Sequence, residues 1–454
     1  MRVVVAGATG FIGKELIKQL DKKGHEIVVL TRNLDSARFN IPVHCEVVTW
    51  NPEQSSIPSS TLKGVDAVIN LAGEGIADGR WSSERKNKII QSRVISTRQI
   101  IKAMTYMNLK PKVFVSASAI GIYGDRGDEL LNESSSNGEG FLSQVCRVWE
   151  DEINNAKALG VRTVSLRIGM VLGHDGGALE KILPPFQLGV GGKLGSGSQW
   201  MSWIHINDLV NMMVYAVENS SLNGEYNAVS PNPVKNMEFT RTLGQVLKRP
   251  TIFPVPKIIL KIALGELSEL LLGSQKVDSK KICDTGFKFQ LPDLEQALKE
   301  ISRHTCHEIK IEQWVPQPLN KTFSFFKEAR NLEKITPEFL KFKVLNQSTP
   351  EIQSGTKLNY RISLHGCPMK WQSEIKDWEP DHKFSDIQLK GPYSHWYHTH
   401  EFEEKKDGTL IKDHVVYKIP FGILGDLIVG KWIRKDLQLV FNHRAKVINN
   451  IMAQ

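Results

Sequence analysis

Three glycines near the start of the chain, Gly7, Gly10 and Gly13, stand three residues apart in Val3-Val4-Val5-Ala6-Gly7-Ala8-Thr9-Gly10-Phe11-Ile12-Gly13. An apolar run precedes them and a helix-patterned segment follows, which is the context a dinucleotide-binding loop needs. Gly7 permits the tight turn, Gly10 lets backbone approach a pyrophosphate, and Gly13 lets helix and strand pack closely. Thr9, Phe11 and Ile12 fall in the loop and first turn, where free N–H groups and the positive dipole end meet phosphate. At the end of the second apolar run the chain reads Thr31-Arg32-Asn33. An acidic residue there would bind the ribose 2′-hydroxyl of NAD, whereas Arg32 suits a 2′-phosphate. NADP(H) is therefore the expected cofactor. Asn70-Leu71-Ala72-Gly73 ends a further strand in small residues against which an adenosine or ribose can lie. Arg93, on a helix from about Ser83 to Met104, and Val171 complete the expected cofactor contacts.

Proton chemistry is less well provided for. Tyr123, which follows a strand at the carboxyl edge of the sheet, is the first acid/base candidate, and Ser118 and Cys146 are weaker ones; for each, a packing role is the stronger expectation. His205 and Asp208 bridge a short strand and a helix, and Asp208 in the first turn is expected to serve the helix dipole rather than catalysis. His398 and His400 alternate onto one strand face. His-x-His can bind zinc, but no third ligand is evident and Cys367 lies on another strand, so hydrogen-bonded or exposed histidines are expected and no metal.

The elements that position these residues divide in two. Up to about residue 303, strands alternate with helices: Arg2–Ala6, Glu26–Leu30, Val65–Gly73 with its loop, Lys112–Ser118 and Val161–Gly173 with its turn. That alternation predicts an α/β doubly wound parallel sheet of the Rossmann type. Residues 174–300 are glycine-dense and are expected to build the substrate side. Within them, about Lys257 to Gly273 reads as one amphipathic helix packed on the core. From 304 to 454 the pattern becomes strand-rich, with nine of the thirteen histidines. A strand at His307–Val315 is followed by a helix over Pro318–Ile335. Six strands then run from Phe342 to Ile419, the second spanning Lys357–His365. A long closing helix over Leu424–Met452 turns Leu427, Ile428, Trp432, Leu437, Val440, Phe441 and Val447 inward.

At 454 residues the chain is too long for one core. The net charge of +9 is spread without a lysine/arginine run, so nucleic acid is not implied. Five scattered cysteines fit reduced thiols in a cytoplasmic protein. The first apolar run is too short for a signal peptide, and no stretch is long and apolar enough to span a bilayer.

Together, the glycine loop, Asn70 to Gly73, Tyr123-Gly124, Arg167 to Gly173 and Trp203 to Asp208 resemble an extended short-chain dehydrogenase/reductase. The resemblance is to its atypical "epimerase family" branch, some members of which carry a cell-division-inhibitor label, and it covers about residues 1–300. It implies NADP-dependent oxidoreductase or epimerase-like chemistry on a small molecule. It also implies a Tyr-x-x-x-Lys pair, and this chain departs from that: the two positions fall on Leu142 and Cys146. The alternative is a catalytically silent NADP(H)-sensing or ligand-carrying protein. Extended relatives often pair through helices, so the resemblance also brings a homodimer, although no decisive stripe marks one. Residues 305–454 resemble the helix-grip fold of polyketide-cyclase-like and START-like proteins. That resemblance rests on the strand-rich order and on Tyr393 to Phe402 followed by Asp413-His414-Val415-Val416-Tyr417. It implies an α+β domain with an antiparallel sheet and a cavity for an apolar ligand.

Overall fold

Val3, Val4, Val5 and Ala6 are wholly buried, as β-branched residues are in a strand covered on both faces. They form β1 (Arg2–Ala6), an inner strand of a seven-stranded parallel sheet. The structure, a computed structural model, describes residues 1–34, 37, 41, 43, 45–174, 176–303, 307–364, 366–420 and 422–452. It forms two compact units, residues 1–304 and 305–454.

In the first unit the other strands are β2 (Glu26–Thr31), β3 (Glu46–Thr49), β4 (Ala67–Asn70), β5 (Val113–Ala119), β6 (Arg162–Ile168) and β7 (Gly224–Ala228). Their order is β7-β6-β5-β4-β1-β2-β3, every neighbouring pair parallel. The order reverses between β1 and β4, and that switch point is where doubly wound sheets bind ligands. Ala6 pairs with Leu30 on one side and Asn70 on the other, so the carboxyl ends of β1, β2 and β4 stand side by side. Helices α1 (Phe11–Lys22), α2 (Ser83–Thr105), α3 (Phe141–Asn154) and α4 (Ile206–Glu218) connect these strands.

The amphipathic stretch from Lys257 is not one helix packed on the core. It forms α5 (Lys257–Leu264), a 3-10 turn (Gly265–Ser268) and a short helix (Glu269–Leu272). Gly265 adopts φ +60° and breaks the run. The turn buries Leu267 in a cluster with Trp81 and Ile89, while Ile258, Ile259 and Ile262 of α5 remain exposed.

The second unit contains β8 (His307–Val315), β9 (Lys343–Gln347), β10 (Lys357–Leu364), β11 (Cys367–Glu379), β12 (Lys383–Lys390), β13 (His395–Lys405) and β14 (Gly408–Lys418). They form an antiparallel sheet ordered β8-β14-β13-β12-β11-β10-β9. His365, expected to end β10, lies outside the described residues. The helix expected over Pro318–Ile335 is two, α6 (Leu319–Lys327) and α7 (Asn331–Ile335), because Glu328 is extended and Asn331 Nδ2 donates to the Phe325 carbonyl at 2.8 Å. The chain closes with α8 (Gly422–Met452). Its Ile448 and Met452 join Phe323, Phe326, Phe384 and Phe402 in the core. Leu437 and Phe441 face inward as expected, but Trp432 is 66% exposed, because it falls off the stripe those residues define. The side chains of Leu427 and Ile428 lie outside the described set. Among the described residues, no helix is long and apolar enough to cross a membrane.

Candidate functional site

The first site is built mostly from backbone at the carboxyl edge of the parallel sheet. Gly7 adopts φ +83°, and a Cβ there would lie 2.7 Å from the Leu71 carbonyl carbon, so the end of β1 presses on the loop after β4. A Cβ on Gly13 would stand 2.3 Å from the Gly7 oxygen, so α1 seats directly on the turn. Gly10 is the N-cap of α1, and neither a capping side chain nor a first-turn acid competes for the free amides there. A Cβ on Gly10 would meet only the Gly7 oxygen, at 3.3 Å, which leaves the outer side of the turn open. An anion as large as a pyrophosphate fits this cradle. The Phe11 ring turns away and packs where Gly173, Gly176 and Gly177 leave room. Val171, in the short strand Met170–Leu172, borders the same loop.

Arg32 is exposed at the end of β2, and among the described residues no side chain or carbonyl holds its guanidinium. Thr31, one residue earlier, is buried and spends its hydroxyl on the Asn33 backbone. Asn70 is not a ligand by its side chain. It is buried, donates to Thr97 Oγ1 at 3.0 Å and accepts from the Ala72 amide at 3.1 Å, and so shapes the Leu71-Ala72-Gly73 loop. Arg93 likewise does not extend freely to a cofactor. Its guanidinium packs beside Gly73, donates to the Glu74 and Ile89 carbonyls at 3.1 and 3.0 Å, and lies over Trp149. It braces the loop from behind.

The acid/base candidates sit in a closed network. Tyr123 is 0% exposed; its hydroxyl donates to Asn227 Oδ1 at 2.7 Å and accepts from Arg167 Nη1 at 3.0 Å. Arg167 grips Glu150 with Nε and Nη2, both at 2.9 Å. Ser118 Oγ donates to the same carboxylate at 2.7 Å. Burial pushes the Tyr123 phenol above its usual range despite Arg167 beside it. A phenol so enclosed and already bonded on both sides is placed for packing, not for taking a proton from a substrate, and Ser118 is fixed the same way. Leu142 and Cys146, at the tyrosine and lysine positions of the resemblance, pack on the 3-10 turn Ile120–Tyr123 through Gly121. Burial pushes the Cys146 thiol up to about 12. Spacing in the sequence does not reveal the Glu150–Arg167 pair, because Glu150 stands on α3 and Arg167 on β6 and only packing brings them together. His205 and Asp208 are structural, as expected. His205 Nδ1 accepts from the Asn207 amide at the start of α4 and Asp208 accepts from the Gln290 and Leu291 amides at 2.7 and 3.0 Å.

The second site is built from side chains. Strand alternation turns Trp396, His398, His400 and Phe402 of β13 inward, with Ile411, Asp413, Val415 and Tyr417 of β14 beside them. A cavity of about 190 Å³ lies between this face and the inner residues Leu437, Val440 and Phe441 of α8. Its other walls are mainly apolar, with Asp386, His398, His400 and Arg444 among its few polar groups. His398 pairs with Asp386 of β12 across one strand boundary, and His400 pairs with Asp413 across the other. His398 Nε2 and His400 Nδ1 lie 3.0 and 2.6 Å from Asp413 Oδ1. Their other nitrogens lie 3.3 and 3.8 Å from Asp386 Oδ2. Arg444 of α8 approaches Asp413 at 3.6 Å and lies over the Phe326 ring. Burial raises both carboxyls, but the imidazoles, and for Asp413 chiefly Arg444, hold them below the usual range. Burial lowers both imidazoles; the carboxylates more than restore His398, whereas the neighbouring His398 keeps His400 low. The two histidines are hydrogen-bonded, as expected, but not exposed. Asp386 is the third donor that the sequence did not reveal.

Residues 3–229 match the family described as "NAD dependent epimerase/dehydratase family", and residues 255–301 match a domain of unknown function. The epimerase family protein YfhF of Bacillus subtilis is 39% identical over 302 residues, 66% of this chain and 98% of that protein. The human epimerase family protein SDR39U1 is 36% identical over 307 residues, 66% of this chain and 99% of its own length. The crystal structure of its isoform 2 with NADPH superposes with a TM-score of 0.60 at 33% identity, covering 67% of this chain and 100% of that one. A nucleoside-diphosphate sugar epimerase from Corynebacterium glutamicum is 31% identical with a TM-score of 0.53, covering 66% of this chain and 58% of that one. The glycine cradle, the parallel strand order and these likenesses agree: the chain belongs to the NAD dependent epimerase/dehydratase family.

Proposed function

We propose that the protein is an NADP(H)-dependent oxidoreductase or epimerase-like enzyme acting on a small molecule, with a START-like or polyketide-cyclase-like domain that binds an apolar ligand. The observation that carries the cofactor choice is Arg32, exposed at the end of β2 beside the glycine cradle and without a partner among the described residues. A 2′-phosphate neutralises that guanidinium, whereas NAD offers it only a hydroxyl. The crystallised human relative with NADPH supports the same choice. Bound NADP(H) supplies the hydride step. Gly7, Gly10 and Gly13 shape the cradle, the amides of Thr9 to Ile12 receive the phosphates, and Leu71 to Gly73 flank the adenosine side. In the second domain the apolar cavity carries the ligand reading.

A second reading, a silent NADP(H) sensor or carrier, is favoured by Leu142 and Cys146 at the proton-transfer positions and by the locked Tyr123 hydroxyl. Fluorescence titration of the whole protein with NADPH and NADH, repeated on Arg32→Ala, tests the cofactor assignment. NADPH is expected to bind more tightly, with about a tenfold loss confined to NADPH in the variant, of the order of one charge-assisted hydrogen bond. Equal affinity for both nucleotides in both proteins overturns it. Oxidation of bound NADPH by an added carbonyl substrate separates enzyme from sensor. The reading includes a cytoplasmic location, supported by the free thiols of Cys45, Cys146, Cys283 and Cys367. It also includes a homodimer, which exposed Ile258, Ile259 and Ile262 support and sedimentation checks.

A further inference from the structure

Two imidazoles and a carboxylate converge at the wall of the apolar cavity. We propose that they bind a divalent transition-metal ion of the zinc or iron(II) type, through His398 Nδ1, His400 Nε2 and Asp386 Oδ2, with a remaining coordination position open to the cavity. This goes beyond the nucleotide reading and does not depend on it.

Asp413 sits behind both rings, with Oδ1 3.0 Å from His398 Nε2 and 2.6 Å from His400 Nδ1, which are hydrogen-bond lengths. Arg444 Nη2 stands 3.6 Å from the same carboxylate oxygen and 3.4 Å from His400 Nδ1. The opposite nitrogens, His398 Nδ1 and His400 Nε2, face Asp386 Oδ2 at 3.3 and 3.8 Å. A cation between them would draw on all three. Charge-assisted hydrogen bonds are shorter, about 2.7–2.9 Å. Donors sharing a tetrahedral ion at about 2.0–2.1 Å lie about 3.3–3.4 Å apart. The observed gaps match the second arrangement after a shift of a few tenths of an ångström. Each of the three residues offers a ligand atom, and these lie within 4.8 Å of one another.

The surroundings are those of a metal centre. One carboxylate orienting the outer nitrogens of both histidine ligands fixes their tautomers and raises their basicity. Two histidines and one carboxylate leave coordination positions for a further ligand. Asp386, His398 and His400 all line the cavity, whose other walls are chiefly Phe, Leu, Ile and Trp. The ligand that fits is an apolar molecule with one oxygen donor, such as a carbonyl or carboxylate, held by its body against the walls and by its oxygen on the ion.

The test uses the full chain, stripped with a chelator, reloaded with Zn²⁺ or Co²⁺, and desalted. Elemental analysis is expected to find about one ion per chain. His400→Ala and Asp386→Asn are expected to lose it, and Asp413→Asn to bind about 10–100-fold more weakly. Should a variant not fold, the Co²⁺ form of the unaltered protein decides. Its absorption and electron-spin-echo spectra are expected to show imidazole nitrogen coupling and to change on adding decanoate. Failure to retain Zn²⁺ or Co²⁺, or retention unaltered in all three variants, overturns the proposal. The first outcome means that a proton on His398 fills the gap, and the second that the ion sits elsewhere.

Discussion

The chain carries two seven-stranded sheets and uses them in opposite ways. The parallel sheet recognises with backbone at its edge: Gly7, Gly10 and Gly13 act by having no side chain, and the loop after β4 acts through its main chain. The antiparallel sheet instead gathers side chains on its face around a cavity, drawn from three neighbouring strands and from α8. The largest buried polar cluster of the parallel sheet spends its side chains on one another. The lesson is that a buried polar cluster is a candidate site only where it opens on a cavity. Among the described residues, Glu150, Arg167, Tyr123, Asn227 and Ser118 bond one another away from any cavity, whereas His398, His400 and Asp386 converge at a cavity wall.

The strongest way to break that contrast is at Glu150. Glu150→Gln leaves the buried Arg167 guanidinium without its counter-charge and is expected to cost about 3–5 kcal/mol in chemical denaturation. A loss below 1 kcal/mol would mean that the network is wet and adaptable, and would return Tyr123 to the catalytic candidates. Cys146 probes the same wall through chemistry. Its thiol is pushed up to about 12 by burial, so raising the pKa lowers the thiolate present near neutrality. Against an ordinary thiol, about a thousandfold less thiolate is available at pH 8, before any steric exclusion. Native alkylation followed by peptide mapping is expected to label exposed Cys367 and spare Cys146. Equal labelling of the two would show that α3 opens over the sheet edge.

How much of each region is readable in the sequence follows from the same contrast. The nucleotide edge is written in consecutive residues: an apolar run, three spaced glycines, a helix start, then Arg32 after the next run. Each feature acts where it stands in the chain, so spacing alone reveals it. The antiparallel strands are also legible, since alternation marks them. The partners of His398 and His400 are not, because they depend on register. Asp386 meets His398 only through the antiparallel register of β12 and β13, which the spacing along either strand does not state. Arg444 arrives from a helix. Likewise, nothing in Lys257 to Gly273 marks Gly265 as the residue that takes positive φ.

A finer test of the backbone edge compares two glycines in the same domain. A Cβ on Gly13 meets the Gly7 oxygen at 2.3 Å and Ala8 Cα at 2.6 Å, whereas one on Gly24 meets nothing within 4 Å. Gly13→Ala is expected to cost about 2–3 kcal/mol by overpacking and to abolish nucleotide binding. Gly24→Ala, at φ +73°, pays only for its left-handed backbone, about 1 kcal/mol, and leaves binding intact. Similar losses for both would mean that α1 can slide on the turn, and the close seating would lose its significance.

The smallest expected effect sharpens the comparison from the other sheet. Val440 of α8 lines the cavity, so Val440→Trp fills part of it with an indole. Binding of an apolar fluorescent probe is expected to weaken about tenfold, equivalent to about 1.4 kcal/mol, while NADPH affinity is unmoved. Equal weakening of probe and nucleotide would tie the face of one sheet to the edge of the other. Weakening of the probe alone would leave two regions that differ in construction and operate separately, one defined by side chains that are missing and the other by side chains that converge.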